Sequence, residues 1–140
     1  MESEDMSDWN QDIIEEFRAN EGTVGGMFEG APLLLLHHVG ARTGTRRVTP
    51  LMFQPIPRGY AVFASKAGAH TNPDWFYNVT ANGDTTVEVG SSSLPMTARI
   101  AEGDEHDDIW NRQKQEWPQF AEYERQTSRD VIPVIVLERA

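Results

Sequence analysis

The sequence predicts a mainly β fold with helices, arranged as a small, partly open barrel. Two observations carry this. Short apolar or alternating segments are joined by brief glycine- and proline-bearing turns, which makes sequence neighbours antiparallel partners. No run of alternating strands and long helices appears, so a doubly wound nucleotide-binding sheet is not expected. About six strands and three or four helices are counted along one domain of 140 residues.

The elements follow in order. Ser7 caps a first helix in which Trp9, Ile13, Ile14 and Phe17 form one apolar face, running to about Asn20. Gly22, Gly25 and Gly26 end it. The segment 1–21 is thus an N-terminal amphipathic helix, read as packing on the barrel or as a lid over a site; 22–140 is the barrel domain. Leu33 to Val39, Val48 to Ile56 and Tyr60 to Ser65 read as strands, separated by turns at 40–44 and 57–59. Asn72 or Thr71 caps a short helix with Pro73 in its first turn and Trp75, Phe76 and Val79 along it. Thr85 to Val89 and Leu94 to Ile100 alternate as strands around a turn at Ser91-Ser92. Asp104 to Trp117 is helical, with acids at the end that the helix dipole favours. Pro118 interrupts it, Phe120 and Tyr123 lie on a further short helix, and Ile132 to Leu137 is a closing strand.

Composition narrows the function. The formal net charge is -10, which disfavours a nucleic-acid binder. Met1 to Glu16 holds seven acids and no base, whereas basic residues gather at Arg42, Arg46 and Arg47. A local cationic loop can hold an anionic small molecule in spite of the overall sign. With no cysteine, disulfides, cysteine-held iron–sulfur clusters and thiol catalysis are excluded, and a reducing cytoplasm fits. The acidic start is not a signal peptide, and the longest apolar run, Ala31 to Leu36, is too short for a transmembrane anchor.

Four segments carry candidate chemistry. Gly40-Ala41-Arg42-Thr43-Gly44-Thr45-Arg46-Arg47 combines turn amides, a hydroxyl and guanidiniums, a set suited to phosphate or carboxylate; the other reading is a solvated hairpin tip. It lacks the Walker ending and joins strand to strand, so it is no dinucleotide fingerprint. Ala64-Ser65-Lys66-Ala67-Gly68-Ala69 offers a hydroxyl, a cation and small residues that admit a flat ring, or it is an ordinary turn. Trp75 and Phe76 wall a ring pocket or pack in the core, and Asn78 holds a loop or a ligand. Tyr123, one turn after Phe120, orients an acceptor carbonyl or donates a proton, or is a core or surface aromatic. His37 and His38 are adjacent in a strand, so only one faces inward. No metal-ligand spacing, paired-carboxylate site or nucleophile elbow is evident.

Taken together these residues resemble the deazaflavin (F420)-dependent nitroreductases, also described as F420H2-dependent quinone reductases. The resemblance runs from Ile14-Glu15-Glu16-Phe17-Arg18-Ala19-Asn20 through Gly30-Ala31-Pro32 and Arg47-Val48-Thr49-Pro50-Leu51. It continues in Ala64 to Ala69 and Asn72 to Asn78, and reaches Tyr123-Glu124-Arg125-Gln126-Thr127, Arg129 and Ile132-Pro133-Val134. It implies a split β-barrel of the flavin/deazaflavin oxidoreductase type, with coenzyme F420 in its reduced form as hydride donor to a quinone, enone or nitroaromatic. By that resemblance Arg42, Thr43, Arg47 and Lys66 face the phosphate or oligoglutamate tail. Arg46 compensates for Ala41, where the family usually has a basic residue. Pro50, Leu51, Met52, Phe53, Ala64, Ser65, Trp75 and Asn78 hold the rest of the cofactor. Ser65, Phe120 and Tyr123 lie by the acceptor. Two further departures are His37 and His38, where threonines are frequent, and Ala67, where a glycine is. A menaquinone acceptor would place the protein in the cytoplasm, peripheral to the inner face of the cell membrane. The alternatives are an FMN-dependent reductase on the same barrel, a noncatalytic cofactor- or tetrapyrrole-binding protein, and an interaction module using the acidic helices.

Overall fold

The computed structural model describes residues 2–28 and 30–139, with the side chains of 2–9 and 27 outside the description. The expected roles of Ser7 and Trp9 side chains therefore lie outside the described residues. Helix α1 spans Glu2–Ala19 and so begins before Ser7. Strand β1 is Leu33–Val39, β2 Arg46–Ile56, β3 Gly59–Phe63, β4 Asp84–Val89, β5 Ser92–Ile100 and β6 Val134–Arg139. Helix α2 is Asp74–Ala81, α3 Gly103–Glu116 and α4 Gln119–Gln126, with short 3-10 turns at Gly26–Phe28 and Lys66–Gly68.

The strands close in the order β1-β2-β3-β6-β5-β4, all antiparallel, with β4 returning to β1. The partly open barrel expected from the hairpins is therefore closed. Its shortest seam is β1–β4, where only Leu35↔Glu88, Leu36↔Val87 and His37↔Thr86 pair. Closure removes the free edges that would otherwise template aggregation.

Side-chain alternation explains the continuous apolar run of β1. Leu34 and Leu36 join Val62, Val87, Met96, Ile135 and Leu137 inside the barrel. Leu33 and Leu35 face outward but are covered by Ile14 and Phe17 of α1. A strand buried on both faces reads as a run, not an alternation. The same holds for β6, whose Val134 and Val136 lie under Ile109, Trp110 and Phe120 of α3 and α4. Trp75 and Val79 of α2 pack onto the interior cluster. At Gly59 a Cβ would fall on the carbonyl oxygen of Leu137, so the β2–β3 turn meets β6 only because that position is glycine.

Two local expectations shift for physical reasons. The third strand ends at Phe63, because Arg129 captures the carbonyls of Ala64 and Ser65 at 2.7 and 2.8 Å. Asn72 does not cap α2; its Oδ1 accepts from Arg129 at 2.6 Å, and Pro73 occupies the cap position.

Candidate active site

A groove runs over one end of the barrel as two adjoining clefts. One, of about 560 Å³, is bounded by Asn10, Gln11, Ile14 and Arg18 of α1, by His38, Arg47, Val48 and Thr49, and by Lys66, Pro73, Asp74 and Trp75. The other, of about 530 Å³, is bounded by Gly40, Ala41, Arg42, Thr43, Arg47, Asp74, Tyr77 and Asn78. Arg47 and Asp74 belong to both. Helix α1 is thus a wall of the first cleft, anchored by Phe17, which is 1 % exposed, and by Arg18, which donates to both Glu88 carboxylate oxygens at 3.0 and 2.7 Å. The Arg18 guanidinium, by hydrogen bonding, holds the Glu88 carboxyl below its usual range.

The turn before β2 is folded by its own atoms. Gly40 N–H donates to the Thr45 carbonyl and Gly44 N–H to the Gly40 carbonyl, at 2.8 and 2.9 Å. Thr43 Oγ1 accepts from Thr45 N–H at 3.2 Å. A Cβ at Gly40 would strike Thr43 Oγ1 at 2.6 Å, so glycine lets the turn close. Among the described residues Arg42 and Arg47 make no ion pair or hydrogen bond, and Lys66 has only a 3.5 Å contact to Thr71 Oγ1. By contrast Arg18, Arg99, Arg112 and Arg125 each pair with a carboxylate. In a chain of net charge -10 these groove cations thus stay without an acidic partner, although Asp74 lines both clefts.

Of the residues singled out in the sequence, Arg42, Thr43, Arg47, Lys66, Trp75 and Asn78 come together on the groove. Arg46 borders neither cleft; as the strand neighbour of Arg47 it projects from the opposite face. Leu51 and Phe53 pack on the barrel interior, and Met52 on the outer clusters. Pro50 is half-buried opposite Leu35, and Ala64 is fully buried. Ser65 is buried beside Lys66, its hydroxyl without a hydrogen bond among the described residues. Phe120 is 4 % exposed and stacks edge-on against Phe63, Trp110 and Tyr123, so it backs Tyr123 from the core.

The loop after β3 is held in an uncommon conformation. Lys66 and Ala67 both have positive φ, 47° and 53°, a region that costs residues with a Cβ roughly 1 kcal/mol each. Gly68 follows at φ 84°; there a Cβ would come within 3.2 Å of Tyr123 Cα, so the small residue admits α4. Arg129 fastens the whole loop, and Thr127 Oγ1 extends the clamp by donating to the Ala69 carbonyl at 2.7 Å.

Sequence reasoning assigned no role to Thr49, Asp74 or the clamp of Arg129. Of the two strand histidines, His37 meets Glu88 Oε2 at 2.6 Å, outside. His38 is the inward one, 6 % exposed. Burial first, then the charges of Arg47 and His37, push its pKa down to about 4. The folded protein therefore favours neutral His38. Its contribution to stability is fully present above about pH 6.5 and is lost as pH falls toward about 4. Thermal melts from pH 7 to 4 are expected to fall more steeply for the natural chain than for His38→Gln; parallel curves would refute the burial argument.

Similarity to known proteins identifies the family and agrees with the fold. The F420H(2)-dependent quinone reductase family matches residues 9–139. An F420H(2)-dependent quinone reductase of Mycobacterium tuberculosis is 34% identical over 127 residues, 88% of this chain and 85% of the relative. The solved structure of an F420-H2 dependent reductase, FDR-A, is 39% identical, with TM-score 0.69 over 76% of this chain and 94% of that one. Another solved structure, a domain-swapped dimer, is 36% identical, with TM-score 0.71 over 94% and 98% of the two chains. With a split barrel, a cationic groove and a match over nearly its whole length, the chain belongs to the F420H(2)-dependent quinone reductase family.

Proposed function

We propose that the groove of this F420H2-dependent reductase would hold the anionic part of F420 against Arg42, Thr43, Arg47 and Lys66, and the rest of the cofactor toward Trp75 and Asn78. The observation that carries the reading is that three of the four cations lining the groove, Arg42, Arg47 and Lys66, have no carboxylate partner among the described residues, Arg18 being paired with Glu88. When bound, reduced F420 supplies a hydride from its central ring. The chain supplies the rest. Arg42 and Arg47 neutralise phosphate or carboxylate groups. Ile14 and its neighbours on α1 exclude water from the first cleft, the wall and lid role we assign to residues 2–21. The Ser65 hydroxyl and the Tyr123 phenol would hydrogen-bond to the acceptor oxygen, and Tyr123 Oη would supply the proton that reduction of a quinone to its hydroquinone needs besides the hydride.

A naphthoquinone of the menaquinone type is the acceptor class we assign. Its lipid tail would require peripheral docking at a membrane surface, since no described helix is long and apolar enough to cross a membrane. Stopped-flow mixing of F420H2, protein and menadione, with FMNH2 in parallel, tests the reading. Protein-dependent oxidation of F420H2 alone is expected. Turnover with FMNH2 and none with F420H2 would transfer the groove to a flavin.

A further inference from the structure

Beneath the groove lies a chain of hydrogen bonds whose polarity is determined at every link. Ala41 N–H donates to Asn78 Oδ1 at 2.9 Å. A backbone N–H can only donate, so the Asn78 amide is oriented with Nδ2 toward His38, and Nδ2 lies 2.9 Å from His38 Nδ1. An amide nitrogen also can only donate, so Nδ1 of His38 is the acceptor and bears no proton. Neutral His38 then carries its proton on Nε2, which meets Thr49 Oγ1 at 2.8 Å. Thr49 Oγ1 is thereby an acceptor for His38. Its own proton has no acceptor among the described residues, and Thr49 borders the first cleft. Asn78 and His38 are 7 % and 6 % exposed, so water competes poorly for these bonds.

We propose that His38 and Asn78 are positioning residues that commit the Thr49 hydroxyl to donating a hydrogen bond to an acceptor atom of the bound cofactor, a carbonyl, ring nitrogen or phosphate oxygen. The same chain ties the anion-binding turn, through Ala41, to the first cleft, so the two clefts are ordered by one network. Imidazole suits the task because it accepts at one nitrogen and donates at the other, passing polarity from Asn78 to Thr49. A threonine at position 38 is too short to span both partners. The charged groups facing His38 are Arg47 from β2, its neighbour His37, and Asp74 from α2. The first two oppose its protonation and Asp74 favours it, and protonation would set Nδ1–H against the Asn78 amide. The inference rests on the groove being the F420 site.

Two measurements test it. Long-range ¹H–¹⁵N spectra of the cofactor-free protein at pH 7 are expected to show His38 unprotonated at Nδ1 and protonated at Nε2. Fluorescence titration with oxidised F420 is expected to show Thr49→Val binding roughly tenfold more weakly, with Thr49→Ser restored to within about twofold and melting temperatures unchanged. An Nδ1–H tautomer, or Thr49→Val binding F420 as tightly as the natural chain, would overturn the proposal. Failure of the natural chain itself to bind F420 would instead overturn the reading of the groove, and with it the role of Thr49 toward that ligand.

Discussion

Replacing Arg42 and Arg47 together by glutamine is expected to weaken F420 binding by at least about 100-fold. The figure follows from two hydrogen bonds to charged oxygens, each worth roughly 1.5–3 kcal/mol when desolvated. The effect should appear in equilibrium titration with oxidised F420 and should shrink in the natural chain as salt rises, because exposed charges are screened. The melting temperature should change little, since neither arginine has an ion pair or hydrogen bond to lose among the described residues. Arg46→Gln is the control. It sits one residue from Arg47 and carries the same charge, but borders neither cleft. Its substitution is expected to change affinity by about twofold at most, the residue of long-range field alone. Equal losses for Arg46→Gln and Arg47→Gln would mean that net charge, not the groove, holds the cofactor.

The second large effect is on stability. Arg129 donates to the Ala64 and Ser65 carbonyls, to Asn72 Oδ1 and to Thr127 Oγ1 at 2.6–2.9 Å. No carboxylate is among these acceptors, and burial pulls its pKa below the usual arginine value. Arg129→Met would orphan two backbone carbonyls and release the loop that carries Lys66 and Ala67 at positive φ. A loss of about 3 kcal/mol is expected, read as a melting temperature lower by roughly 10 °C. Arg112→Met removes an exposed pair with Glu116 and is expected to cost less than about 1 kcal/mol. F420 affinity should fall for Arg129→Met although the side chain borders neither cleft, because Ser65 and Lys66 lose their support. Equal melting temperatures for the two variants would refute the clamp.

Much of the fold is legible in the sequence. The strand Leu33–Val39 coincides with the observed β1, because glycine and proline bracket a run that only a two-sided burial accommodates. The hairpins around 40–45 and 57–58 follow from turn residues between apolar segments. The cationic turn, Lys66, Trp75 and Asn78 are also readable, since residue type and order carry that information. Closure of the barrel is not readable. It depends on β1 meeting β4 and β3 meeting β6, pairings between segments about 50 and 75 residues apart, whose register is set by packing of both faces.

The site divides along the same line. Sequence alone determined that an acidic chain keeps arginines in one glycine-framed turn, and that one of two adjacent histidines must face inward, because strand geometry alternates. Only the tertiary structure decided that the inward one is His38. It also decided that Arg47 and not Arg46 borders the groove, that Phe120 lies in the core behind Tyr123, and that Arg129 clamps a loop some 60 residues earlier. The physical reason is common to all of these. Residue type sets what a group can do, whereas direction and partner are set by contacts between distant segments, and the hydrogen bonds joining positions 38, 41, 49 and 78 exist only once the barrel has closed.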